Sequence, residues 1–123
     1  MSQPIPADQE RMERIACVAE AAFDKKAERV VALDVRELTS YADTFVIATG
    51  TSDRHARSIA DSIVEALRLS GDKPLGVEGY DEGRWVLIDA GDVIVHVFRP
   101  EVRAFYQLEK MWMDPGAADS AGA

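Results

Sequence analysis

Residues 85–98 read Trp-Val-Leu-Ile-Asp-Ala-Gly-Asp-Val-Ile-Val-His-Val-Phe, and this stretch decides the fold. Two runs rich in β-branched and aromatic residues, 85–88 and 93–98, flank a short Asp-Ala-Gly-Asp segment, which is the pattern of a β-hairpin. If Ala90 and Gly91 form a two-residue turn, the predicted pairs are Asp89–Asp92, Ile88–Val93, Leu87–Ile94, Val86–Val95 and Trp85–His96.

Side chains alternate between the faces of a strand, so the two faces of this hairpin differ in chemistry. One face carries only β-branched residues and is expected beneath helices: Val86, Ile88, Val93, Val95 and Val97. The other face carries Trp85, Leu87, Ile94, His96 and Phe98. Because tryptophan is enriched among residues that dominate binding energy, this second face is a candidate protein-binding surface. The alternative is that a helix covers it too.

Strand and helix patterns alternate along the rest of the chain. Runs at 29–35 and 44–49 predict two buried strands, and 75–80 predicts a weak third. A helix capped by Thr51 or Ser52 should run to about Gly71, with an apolar stripe of Ile59, Ile63, Val64 and Leu67. A first helix is predicted over 8–26 from Met12, Ile15, Val18 or Ala19, Ala22 and Phe23. A last helix should begin at Pro100 and end near Trp112.

The resulting element order is α-β-β-α-β-β-β-α, which predicts a single α/β domain over 8–113 with a mixed five-stranded sheet and three helices. The second helix joins strands that need a parallel crossover, whereas the hairpin is antiparallel. Residues 1–7 are expected to be a flexible N-terminus. Residues 114–123, which are mostly small or acidic, are expected to form a disordered tail.

The charge balance limits the partners. The chain has 14 Lys and Arg residues against 22 Asp and Glu residues, a formal net charge of −8, which disfavours direct binding to DNA or RNA. The same charge suits a basic protein partner, although solubility alone also favours it. The N-terminus has no signal-peptide pattern and no segment is apolar enough to span a membrane, so we expect a cytoplasmic protein.

No pattern predicts catalysis, a metal site or a cofactor. Gly50-Thr51-Ser52 lies between a strand and a helix, as in phosphate-binding turns, but no glycine-rich phosphate motif accompanies it and an ordinary helix cap is favoured. Arg54, His55 and Arg57 crowd the start of that helix, where the dipole disfavours cations. They are therefore candidates for a secondary contact, either within the fold or with a partner.

Several motifs occur in a characteristic order: Val31-Ala32-Leu33-Asp34-Val35, the segment 42–55, Ile59-Ala60-Asp61, Glu78-Gly79, the hairpin, and Tyr106, Leu108, Glu109 and Trp112. Over roughly residues 8–113 this order closely resembles the ribosomal silencing factor (RsfS, Iojap) family. The resemblance implies a fold similar to a minimal nucleotidyltransferase domain. It also implies binding to ribosomal protein fourteen of the large subunit (a uL14-type protein), which blocks joining of the small subunit and slows translation when nutrients are short.

The resemblance also implies a contact surface, formed by the hairpin and the last helix: Trp85, Leu87, Asp89, Ile94, His96, Phe98, Tyr106, Leu108 and Trp112. Family members form homodimers, so self-association is a further expectation. Two alternatives stay open, a dimeric scaffold that uses the same face and a nucleotidyltransferase-like enzyme. Such an enzyme needs a carboxylate pair next to Gly50 to hold magnesium, and the sequence offers none at that spacing.

Overall fold

The computed structural model describes the backbone of residues 7–106 and the side chains of residues 9–103. The elements are α1 (Ala7–Asp24), β1 (Glu28–Asp34), β2 (Thr44–Thr49), α2 (Asp53–Leu69), β3 (Gly76–Glu78), β4 (Trp85–Asp89), β5 (Val93–Phe98) and α3 (Pro100–Tyr106). The predicted order and fold class are therefore confirmed. The expected end of α3 near Trp112 and the expected tail at 114–123 lie outside the described residues.

The five strands form one sheet in the order β1-β2-β5-β4-β3. β2 and β5 run parallel at its centre, and every residue of both strands is buried. The chain leaves β2 through α2, adds β3 and β4 beyond β5, and returns along β5. Because β1–β2, β3–β4 and β4–β5 are antiparallel, the sheet is mixed as predicted.

Helices α1 and α2 cover one face of the sheet. Ile59, Ile63 and Leu67 of α2 pack with Val18 and Ala22 of α1 on the β-branched face of the hairpin. The expected face assignment of the hairpin is thus correct on this side. Met12 and Phe23, which the periodicity placed in the α1 stripe, are instead both 59% exposed. They lie outside the core because α1 buries the side that carries Val18, Ala21 and Ala22.

The hairpin turn differs from the expected one. The amide of Ala90 donates to the carbonyl of Val93 at 2.9 Å, so Gly91 and Asp92 are the turn residues. Gly91 has a φ of 85°, which suits the first central position of a type II′ turn and which alanine avoids. The observed pairs are Asp89–Ile94, Ile88–Val95, Leu87–His96, Val86–Val97 and Trp85–Phe98. This register differs from the expected pairing by two residues, so every side chain stays on its expected face.

The start of α2 follows from local chemistry. Ser52 is the cap of α2, and its hydroxyl accepts a hydrogen bond from the His55 amide at 3.0 Å. Just before this cap, Gly50 lies directly against the α2 backbone, and a Cβ atom there would come within 2.8 Å of the Ala56 Cα and N atoms. Strand β2 therefore approaches α2 more closely than any side chain at position 50 permits.

The contact at Gly50 gives a prediction about stability. Gly50→Ala should lower the free energy of unfolding by about 1–3 kcal/mol, because backbone atoms of α2 must move to admit the methyl group. Gly76→Ala is the matched control, since no heavy atom lies within 4 Å of its added Cβ. We expect that control to stay within about 0.5 kcal/mol of the parent chain in urea unfolding. Equal effects of the two substitutions would contradict the close packing.

Candidate protein-binding surface

The sheet face opposite α1 and α2 is buried unevenly. On β5 its residues are buried, with exposed fractions of 7% for Ile94, 5% for His96 and 0% for Phe98. Their partners on β4, which are Asp89, Leu87 and Trp85, are only half-buried. Glu78 of β3 pairs with Leu87 and is exposed. We call Trp85, Leu87, Asp89 and Glu78 the docking strip.

The chain itself covers the rest of this face. Ile94 and Phe98 belong to a second apolar cluster with Leu33, Val35, Ala42, Phe45, Ile47 and Val102, against which Trp85 and Leu87 pack from the side. Val102 lies in the first turn of α3, so this helix contributes to the cover. The face is therefore neither fully open nor fully covered. Of the predicted contact residues on the hairpin, Trp85, Leu87 and Asp89 reach the surface, whereas Ile94, His96 and Phe98 lie beside them on β5 and are buried.

Trp85 is held in place by its neighbours. Its indole Nε1–H donates to Nδ1 of His96 at 3.1 Å, although Leu87 is the residue directly opposite His96 in the ladder. The Trp85 ring also packs on Phe98, with ring centroids 4.9 Å apart. A partly exposed aromatic ring that is already fixed loses little conformational freedom when a partner covers it. Trp85 thus has the properties of a binding anchor.

His96 is an uncharged hydrogen-bond acceptor within this cluster. Burial lowers the pKa of His96 to about 4, so the imidazole is neutral at pH 7. Because Nδ1 accepts the indole hydrogen bond, the ring hydrogen is assigned to Nε2. Nε2 is buried and has no hydrogen-bond partner in the described part of the chain. The Phe45 and His96 rings pack edge-on, with centroids 4.7 Å apart, so Phe45 forms part of the apolar surroundings of the imidazole.

Two of the three basic residues at the start of α2 make contacts within the fold. His55 Nδ1 accepts from the Thr51 amide at 2.9 Å, and its Nε2 donates to the carbonyl of Lys25 at 2.7 Å. Arg57 donates to the carbonyl of Asp81 at 3.1 Å. His55 therefore joins the α2 cap to the end of α1, and Arg57 anchors the loop before β4. Arg54 is exposed.

The loop at 79–84 adds residues that sequence reasoning missed. Glu82 and Arg84 line a cleft of about 290 Å³ beside Trp85 and Val102. Gly79 has a φ of 76°, and a Cβ atom there would lie 2.1 Å from the Trp85 carbonyl oxygen. The glycines of this loop suggested only a weak strand and a connection. Their position just before the exposed tryptophan was the available signal that the loop borders the candidate surface.

Several other expectations are placed as follows. Asp53, the carboxylate next to the Gly50-Thr51-Ser52 turn, accepts a hydrogen bond from Arg99 at 3.1 Å. Over the described residues, no group of three or more His, Cys, Asp or Glu side chains is arranged to hold a metal ion. In the same part of the chain, no helix has the length and apolar character needed to cross a membrane. Leu108, Trp112 and the side chain of Tyr106 lie outside the described residues.

The buried histidine predicts a pH effect on stability. The pKa of His96 is lower in the folded chain than in the unfolded chain, so the unfolded chain takes up the proton first as the pH falls. The stabilisation that comes from the neutral, buried imidazole is complete above about pH 6.5 and is lost as the pH falls toward 4. Between pH 7 and pH 4.5 the free energy of unfolding, measured with urea, should therefore fall less in His96→Gln than in the parent chain. The expected difference is about 2 kcal/mol. Parallel pH profiles would contradict a neutral buried His96.

Comparison with known proteins identifies the family. A family model described as "Ribosomal silencing factor during starvation" matches residues 8–122. The ribosomal silencing factor of Bacillus subtilis is 45% identical over 82% of this chain and 86% of its own length. A crystal structure of a Chromobacterium violaceum protein superposes with a TM-score of 0.80 at 40% identity, covering 82% of this chain and 84% of that one.

A more distant relative comes from mouse mitochondria. It is named "Mitochondrial assembly of ribosomal large subunit protein 1" and is 33% identical over 72% of this chain, but this chain spans only 40% of that protein. Both the family model and the bacterial relatives have names that denote silencing of ribosomes and no catalysed reaction. The chain therefore belongs to the ribosomal silencing factor family, whose members are regulators that silence translation at the ribosome and are not enzymes.

Proposed function

We propose that this chain binds the large ribosomal subunit through ribosomal protein fourteen (uL14 type) and that the bound domain blocks joining of the small subunit. It would act in the cytoplasm and slow translation when nutrients are limiting. The family membership supports a role at the ribosome, and the name of the mouse relative supports the large subunit. The observation that carries the proposal is the docking strip, in which the half-buried Trp85 and Leu87 and two carboxylates form the accessible part of a sheet face whose β5 residues are buried.

The charges around the strip suit a basic partner. Glu78 and Asp89 belong to the strip, and Glu82 and Arg84 line the cleft beside Trp85, so three carboxylates stand against one arginine among these residues. Carboxylates at the rim of an apolar contact accelerate encounter with a positively charged protein and orient it. Ribosomal proteins neutralise RNA phosphates and are therefore commonly basic. The net charge of −8 favours the same encounter from a distance.

The predicted contact residues divide into two roles in this proposal. Trp85 and Leu87 touch the partner directly, whereas His96 and Phe98 hold Trp85 in place from the neighbouring strand. Ile94 similarly supports the strip next to Asp89, its partner in the ladder. Tyr106, Leu108 and Trp112 remain proposed contacts because of the family resemblance alone. A mechanism of steric exclusion needs only an occupied surface, so it requires no catalytic residue.

Trp85→Ala tests the strip directly. Loss of a fixed aromatic anchor should weaken binding to purified large subunits by about 2 kcal/mol, or about thirtyfold, in co-sedimentation titrations. Because Trp85 is only half-buried, we expect a smaller stability loss of about 1–2 kcal/mol. The matched control is Val95→Ala, which removes a fully buried side chain beneath the helices. This control should cost about 2 kcal/mol of stability and leave the affinity of the folded chain unchanged.

Two outcomes would contradict the proposal. One is a folded Trp85→Ala chain that pellets with large subunits as the parent does. The other is equal pelleting of the parent chain with the large and the small subunit, because the proposal requires that the chain binds the large subunit specifically. Sedimentation velocity of the free chain tests the dimeric scaffold at the same time. If Trp85→Ala dissociates a dimer without affecting large-subunit binding, the strip serves self-association.

Salt dependence separates a protein contact from an RNA contact. A surface that docks on ribosomal protein should lose affinity only gradually with added salt, because few condensed counterions are released. The measurement is the large-subunit affinity across a salt series from about 50 to 200 mM. A binder that neutralises many phosphates would lose about a thousandfold or more over that range. Such a loss would show that the chain binds ribosomal RNA instead of protein.

A further inference from the structure

A second surface lies on the other side of the sheet, between α1 and α2. A groove of about 610 Å³ runs between the two helices and is lined by Cys17, Glu20, Ala21, Asp24, Lys25, Asp61, Ser62, Glu65, Ala66 and Leu69. We call it the helix groove. Since α1 and α2 cover the sheet face opposite the docking strip, the two surfaces are separated by the thickness of the domain. A partner bound at the docking strip would therefore leave the helix groove open.

The floor of the helix groove is apolar because the helices meet there through small residues. Ala21 and Ala66 line it, and the Ser62 hydroxyl donates to the Ala21 carbonyl at 3.0 Å, which brings the helices close together. Leu69, at the end of α2, borders the groove and is 80% exposed. An apolar side chain of a partner that packs here removes both Leu69 and the alanine floor from water.

The walls of the groove carry uncompensated negative charge. Four carboxylates line it against one lysine. Elsewhere in the described structure arginines neutralise carboxylates: Arg14 contacts Asp72 and Asp92, Arg36 contacts Asp34, and Arg99 contacts Asp53 and Glu101. Glu20, Asp24 and Glu65 have no ion pair in the described part of the chain. The groove thus joins an apolar floor to walls that only a cation would neutralise.

We propose that the helix groove binds a basic segment of a partner protein, which places an apolar side chain against Leu69 and pairs its Lys or Arg side chains with the wall carboxylates. The apolar floor disfavours a purely ionic ligand, because such a ligand would leave the floor exposed to water. The carboxylates disfavour a second copy of this acidic chain, since like charges would meet. A protein segment that combines both features complements the floor and the walls together.

The test uses the full chain and a short fluorescein-labelled peptide in which two lysines alternate with one leucine. Fluorescence polarisation near physiological salt should show that this peptide binds about tenfold or more tightly than the same peptide with glycine in place of leucine, since burial of one leucine is worth that much. Leu69→Ser should remove this difference. Because Leu69 is exposed, the variant should keep its thermal midpoint.

Charge reversal gives the matched comparison. Glu65→Lys should weaken the lysine and leucine peptide about fivefold or more, because an attraction becomes a repulsion. Glu37→Lys changes the net charge equally at an exposed position outside the groove, and it should weaken binding by less than about twofold. Cys17 supplies an independent readout, since it lines the groove and is the chain's one cysteine. The bound peptide should slow its alkylation by N-ethylmaleimide.

Three results would overturn the proposal. Equal affinity for the leucine and glycine peptides would show that the floor does not take part. If Glu65→Lys and Glu37→Lys weaken peptide binding equally, the peptide is attracted by the net charge of the chain and not by the carboxylates of the groove. Spermidine that binds the chain as tightly as the peptide, and protects Cys17 equally, would assign the groove to a small polycation. None of these results depends on whether the docking strip binds the ribosome.

Discussion

The parallel pairing of β2 with β5 is the constraint on which the other features depend. These two strands register from Thr44–Val93 to Thr49–Phe98 and are buried along their whole length. A parallel pair cannot be joined by a tight turn, so the intervening chain must cross over through α2 and still place β3 and β4 beyond β5. That detour puts α2 on the sheet face that α1 also covers. It also moves β4 and β3 toward the edge, where the opposite face opens to solvent.

Burial therefore decreases from the centre of the sheet toward the β3 edge, and the chemistry of the open face follows this gradient. Within the central pair, His96 of β5 is desolvated and neutral, and it accepts a hydrogen bond from the indole of Trp85. One strand further out, Trp85 and Leu87 are half-buried. At the edge, the short strand β3 places Gly76 and the exposed Glu78 beside Asp89 and Leu87 on this face. An apolar row of this kind is stable in water because its inner side is packed and its outer rim is charged.

Local patterns in the sequence predicted most of the fold, whereas non-local contacts decided the parts that were missed. The faces of the hairpin followed from alternation with a period of two, and a shift in pairing by two residues left them unchanged. The turn was predicted at Ala90 and Gly91, one residue before its observed position at Gly91 and Asp92. The alternation of the strands fits either position, and the positive φ of Gly91 suits the first turn position. Met12 and Phe23 had the right spacing, but the approach of α1 to the sheet determined which side of the helix became the core.

The candidate site shows the same division. The sequence placed Trp85 and Leu87 on the correct face, but it could not show that Ile94, His96 and Phe98 on that face would be buried, with side chains of the neighbouring strands beside Ile94 and Phe98 and Val102 of α3 packed against the same cluster. Similarly, His55 and Arg57 were singled out because cations are unusual at the start of a helix. Their carbonyl partners, on Lys25 and Asp81, come from segments that only the tertiary fold brings near.

The distribution of arginine partners explains why an acidic chain presents strongly acidic surfaces. Arg103 is buried and donates to Thr49 at 2.6 Å and to the carbonyl of Arg29 at 2.7 Å, so its charge is used to attach α3 to the sheet. Arg14 and Arg99 are likewise engaged with carboxylates of the fold. Cations fixed in this way contribute little to recognition at a distance. On the two proposals made above, the carboxylates of the docking strip and of the helix groove would attract basic partners, and the apolar residues beside them would determine which basic partner fits.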